Sequence, residues 1–95
     1  MKISIEISLY PLAEDKFKTK IWQFIKRLRL VDGITVVTNG MSTQVFGDYD
    51  LVTSKVMSEI KQVHQTVGSA VFVCKFIGSD CSSVQSEENC IEEEN

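Results

Sequence analysis

The chain has 95 residues, 43% of them hydrophobic and 24% charged, which suits one domain with a buried core and is too short for two. Its formal charge of −3 argues against a nucleic-acid partner, because such a domain is normally basic overall. Lys16, Lys18, Lys20, Lys26, Arg27 and Arg29 read instead as one solvated helix face. Nothing approaches the roughly 18 apolar residues of a membrane span. The opening "MKISIEISLY" lacks the continuous apolar run of a secretory signal, so a cytoplasmic protein is expected.

The first element is a strand. Ile3, Ile5, Ile7 and Leu9 alternate with Ser4, Glu6, Ser8 and Tyr10, which gives one apolar and one polar face until Pro11 ends it. From about Glu14 the period changes. Phe17, Ile21, Phe24, Ile25 and Leu28 mark one stripe of a helix that runs to about Leu30, where Asp32-Gly33 stops it. Trp22 follows the core residue Ile21 and is expected to pack at the helix edge. The β-branched run Ile34–Thr38 is the second strand. Asn39-Gly40 then predicts a two-residue type I′ turn, with Thr38 opposite Met41, Val37 opposite Ser42 and Thr35 opposite Gln44.

Met41–Phe46 is the returning strand, closed by Gly47, and Asp48 is placed as the N-cap of a second helix. That helix carries Val52, Val56, Ile60, Val63 and Val67 on one stripe and ends at Gly68. Ala70–Ile77 is the fourth strand, with Phe72, Cys74 and Phe76 expected in the core. Residues 79–95 form a polar, acidic tail outside the folded domain of residues 1–78.

The order β-α-β-β-α-β predicts a ferredoxin-like α+β fold, a four-stranded antiparallel sheet with two helices on one face. The other face then carries Ser4, Glu6, Ser8 and Tyr10, with Thr35, Val37, Ser42 and Gln44 close by. Val71, Val73, Lys75 and Ile77 of the fourth strand make half of it apolar. Thr43 should point toward the helix layer. Such a face suits association with a second subunit. It equally suits the ordinary wet side of an antiparallel sheet. No nucleophile–base pair or phosphate loop is visible, and no enzymatic activity is expected. His64 reads as a surface residue, and Asp48 and Asp50 as helix-start carboxylates, not metal ligands. Cys74 reads as a small buried hydrophobe, whereas Cys81 and Cys90 read as free thiols.

Two segments, "ISLYPL" (Ile7–Leu12) and "MSTQVFGDYD" (Met41–Asp50), resemble the signature segments of the YkoF-like proteins, which bind thiamine and its hydroxymethylpyrimidine part. The resemblance spans roughly Ile3 to Ile77. It implies non-catalytic binding of an aminopyrimidine on the open sheet face at a subunit interface, for sequestration or delivery, with no further cofactor. It also implies association of two such domains, here as a homodimer or a dimer of dimers. The matching positions are Ser8 and Tyr10 in the first segment and Ser42, Thr43 and Gln44 in the second. Chemically, the hydroxyls and the amide can donate and accept, Glu6 can accept from an amino group, and Tyr10 can stack on the ring. The sequence departs from the pattern in having one domain where tandem members have two. It departs again at Phe46, which brings no charge where relatives often carry Arg or Glu. The alternative is an oligomeric structural or regulatory module without a small-molecule ligand.

Overall fold

In a computed structural model, which describes residues 1–11 and 17–82, the elements follow the expected order. They are β1 (Lys2–Pro11), α1 (Phe17–Arg29), β2 (Ile34–Thr38), β3 (Thr43–Asp48), α2 (Tyr49–Val67) and β4 (Ala70–Ile77). The expected start of the first helix near Glu14 and the tail from residue 83, Cys90 included, lie outside the described residues. The strands form one antiparallel sheet in the order β2-β3-β1-β4, and the architecture is ferredoxin-like α+β.

Alternation along β1 decides which side of the sheet is covered. Ile3, Ile5 and Ile7 are buried with Val45 of β3, Ile34 of β2 and the helix residues Phe24, Ile25, Leu28, Val52, Val56, Ile60 and Val63. Burying a side chain of this size contributes about 1.5–3 kcal/mol relative to leaving it in water. The two helices are also joined at their surface by an ion pair between Arg27 and Glu59.

Three local expectations are corrected. The β2–β3 connection is not a two-residue type I′ turn. The ladder runs Thr38↔Thr43, Val37↔Gln44, Val36↔Val45 and Thr35↔Phe46, so the loop is Asn39–Ser42. The cause is the Asn39 side chain. Its Oδ1 accepts from the backbone N–H of Met41 at 2.8 Å and of Ser42 at 3.2 Å, while the Asn39 N–H donates to the Ser42 carbonyl at 3.1 Å. This Asx-type bonding stabilises a wider loop, and the positive-φ glycines are Gly33, Gly47 and Gly68, not Gly40. Because the register moves by two residues, each side chain keeps its face.

Phe76 is the second correction, since it is 54% exposed. β4 is an edge strand, and helix cover is lost toward its C-terminal end. Phe72, near its start, is held by Phe24 with ring centroids 5.9 Å apart and by His64 at 5.3 Å. The third concerns Cys81, which is disulfide-bonded and not a free thiol. Cys74 is free and faces the helix side of the sheet, but it is half-buried and not fully buried.

Asp48 occupies the N-cap position of α2 but makes no side-chain capping bond. The first helical amide, of Tyr49, donates to the Met1 carbonyl at 2.8 Å, so the start of β1 satisfies a donor that a cap would otherwise serve. The Asp48 carboxylate lies 3.8 Å from the N-terminal ammonium of Met1. Gly68 at φ 84° ends the helix, its N–H donating to the His64 carbonyl.

Candidate functional site

β1 is longer than its neighbour. Its ladder with β3 stops at Ile7↔Thr43, whereas that with β4 continues to Pro11↔Ala70. Beyond Thr43 the wide Asn39–Ser42 loop turns away, so Ser8 and Leu9 border open space where a third strand would otherwise lie. Helix α1 roofs this gap. Lys18, Ile21, Trp22 and Ile25 stand at i, i+3, i+4 and i+7, a single helical stripe facing the end of the sheet.

The result is a cleft of about 370 Å³ between the C-terminal half of β1, the α1 stripe and residues 38–43 of the hairpin. Its floor is apolar, from Ile7 and Leu9, and Ile21 and Ile25 of α1 add apolar surface above. Its polar groups are the hydroxyls of Ser8, Thr38, Ser42 and Thr43 with Asn39 and Lys18, and Trp22 and Met41 stand at its rim. Trp22 is 51% exposed and Met41 91% exposed. A few hydrogen-bonding groups in an apolar, partly aromatic cavity of this size are what a small heterocycle requires.

The hydroxyls differ in what they already bind. Thr38 Oγ1 and Thr43 Oγ1 share a hydrogen bond of 2.9 Å, with Thr43 buried toward the helices as expected. Ser42 Oγ donates to Glu6 Oε2 at 3.1 Å and accepts from Gln44 Nε2 at 3.1 Å. Among the described residues no hydrogen bond engages the half-buried Ser8 hydroxyl, which leaves its donor and acceptor for a guest in the cleft.

The six residues singled out in the sequence therefore divide. Ser8, Ser42 and Thr43 line the cleft. Glu6 and Gln44 oppose each other on the uncovered face and reach the cleft only through Ser42. The Glu6 carboxylate is engaged on both oxygens, because Oε1 lies 3.5 Å from Lys75 Nζ on β4. Tyr10, on the same face beside Val71, is 55% exposed and does not line the cleft. Ser4, also on that face, is 3% exposed. Its Oγ donates to the Ser79 carbonyl at 2.7 Å and accepts from the Cys81 N–H at 2.9 Å, so the chain leaving β4 folds back over it.

Sequence reasoning missed Lys18, Trp22, Asn39 and Met41. Trp22 stands half in solvent at the edge of α1, beside the cleft. Its signal was present: a large aromatic one position off the buried stripe is an exposed aromatic, and on this helix it points at the end of the sheet. His64 is exposed on α2, where its ring meets Phe72 edge-on. Burial pushes the Cys74 thiol up from its ordinary value of 9.0. Among the described residues no group of three or more His, Cys, Asp or Glu could hold a metal ion. No helix among them is long and apolar enough to cross a membrane.

No family model matches the chain, and no curated protein matches it either. Solved structures do. The fold is similar to that of a hypothetical protein from Methanocaldococcus jannascii, at 22% identity and TM-score 0.71 over 97% of this chain and 94% of that one. It is also similar to a protein from Streptococcus pneumoniae, at 20% identity and TM-score 0.76 over 97% and 99%. A third similar structure is named a "putative thiamine biosynthesis/salvage protein" of Thermotoga maritima, at 17% identity and TM-score 0.71 over 98% and 99%. At these identities the likeness is one of fold.

Proposed function

We propose that the protein binds the aminopyrimidine ring of thiamine, or free hydroxymethylpyrimidine, in the cleft beneath α1 and leaves it chemically unchanged. The observation that carries this reading is the convergence on one cleft of Ser8, Ser42 and Thr43, from segments more than thirty residues apart, under the exposed ring of Trp22. The Thermotoga maritima structure, with thiamine biosynthesis/salvage in its name, supports the same ligand class. So does the resemblance of "ISLYPL" and "MSTQVFGDYD" to the YkoF-like segments.

In this arrangement the pyrimidine lies against Trp22 and the apolar floor, and an aromatic contact of this kind is worth about 0.5–1.5 kcal/mol beyond its buried area. The Ser8 hydroxyl serves a ring nitrogen or the exocyclic amine. Ser42 presents its remaining acceptor site, held in place by Glu6 and Gln44. Glu6 and Gln44 are thus positioning residues for Ser42. Among the described residues, the cleft lining holds no carboxylate, histidine or cysteine, and we read the site as one for sequestration or delivery.

Titration calorimetry with hydroxymethylpyrimidine and thiamine tests this directly. Saturable binding, weakened at least about tenfold by Trp22→Ala with the circular dichroism unchanged, is the expected result. Absence of heat from both compounds at millimolar concentration would end the proposal.

A second reading concerns the uncovered sheet face. Val37, Tyr10, Val71 and Val73 are each between 41% and 55% exposed there. We infer that two copies of the chain meet on this face. Sedimentation equilibrium checks this: the wild type should be a dimer or larger, and Val73→Lys a monomer.

A further inference from the structure

We propose that the cleft selects an anionic ligand, a flat heteroaromatic ring carrying a phosphate ester, over the same ring carrying a cation. The inference rests on the aminopyrimidine reading above and adds charge selectivity to it. Lys18 is the one charged side chain among the described residues that line the cleft. The nearest carboxylate of the uncovered face, Glu6, is committed to Ser42 and Lys75 and does not line it. A cationic substituent in the cleft therefore meets a like charge, with no carboxylate among the described lining residues to balance it.

The spacing suits one particular substituent. Lys18 and Trp22 are four residues apart on α1, about 6 Å along the helix axis and on the same stripe. A ring stacked on Trp22 places a one-carbon phosphate ester within reach of the Lys18 ammonium, whose flexible stem spans the remaining distance. The ammonium is solvent-exposed, so its gain is that of a hydrated charge pair and not of a buried one. Affinity for the ester should exceed that for the free alcohol by about twofold to fivefold at low ionic strength, and the margin should shrink with added salt.

Titration calorimetry on the full chain with hydroxymethylpyrimidine, its phosphate ester, thiamine and inorganic phosphate tests the idea, using wild type, Lys18→Gln and Lys20→Gln. Lys20 does not line the cleft and serves as the control for general positive charge. The expected order is ester above alcohol above thiamine, with the ester's advantage lost in Lys18→Gln and kept in Lys20→Gln. Equal binding of ester and alcohol, or an advantage that survives Lys18→Gln, overturns the charge selectivity and leaves ring binding intact. Inorganic phosphate binding as tightly as the ester also overturns it, because the ring would then contribute nothing. If no ring compound binds, the functional reading fails and this inference fails with it.

Discussion

Gly47 offers the most stringent test of how β3, the α1–β2 turn and α2 fit together. It sits in the ladder opposite both Ile3 and Ile34, on the helix-facing side of β3. A Cβ placed there would lie 2.5 Å from the Gly33 carbonyl oxygen and 2.9 Å from Val52 Cγ2. Neither obstacle yields easily, since one is backbone and the other belongs to a fully buried valine. The φ of 157° at Gly47 adds a conformational cost for any L side chain. Overpacking typically costs about 1–3 kcal/mol and a backbone conformation of this type a further 1–3 kcal/mol, so Gly47→Ala should destabilise by about 4 kcal/mol. That is a large part of the roughly 5–15 kcal/mol expected of a whole domain. Urea denaturation followed by circular dichroism measures it, with the midpoint falling and the slope unchanged. A loss under about 1 kcal/mol would refute the close approach of Gly33 to β3, and with it the packing that sets the first turn of α2.

Two other perturbations probe separate parts of the molecule. Ser4→Ala removes the hydroxyl that serves both the Ser79 carbonyl and the Cys81 N–H, and should cost about 2 kcal/mol from two hydrogen bonds of ordinary strength. Hydrogen exchange at the Cys81 amide should accelerate far more than exchange in β1, and equal acceleration throughout would show that the segment is not docked by Ser4. For Cys74 the sign follows from its raised folded-state pKa. The unfolded chain loses its thiol proton first as pH passes 9.0, so this residue's contribution is intact below that value and falls as pH rises beyond it. Cys74→Val should therefore lose less stability than the wild type between pH 8 and pH 10 in urea titrations, and parallel declines would place the alkaline sensitivity elsewhere.

Much of this molecule is written in local periodicity. The alternation of Ile3, Ile5 and Ile7 with Ser4, Glu6 and Ser8 sets the two faces of β1, and the valine stripe of α2 sets the side on which that helix packs. Together with Gly68 and the β-branched run Ile34–Thr38, these patterns fix the element order, and the order fixes the ferredoxin-like topology. Side-chain period is a short-range property, so a chain of this length displays it directly. Ser8, Ser42 and Thr43, which line the cleft, were singled out by the resemblance of their two segments to the YkoF-like signature.

The cleft itself was decided by tertiary structure. Asn39 could have used its backbone for a tight turn, but its side chain bonds Met41 and Ser42 and holds the hairpin two residues wider. That choice ends the β1–β3 ladder at Ile7 and opens the end of the sheet. Whether α1 then presents Lys18 and Trp22 to the gap depends on the angle at which it crosses the sheet, which no local pattern encodes. The same holds for the burial of Ser4 by Ser79 and Cys81, some 75 residues away in sequence. Sequence determined which residues share a face, because that is a matter of period. Packing determined which of those faces remain accessible, because that depends on where distant segments come to rest.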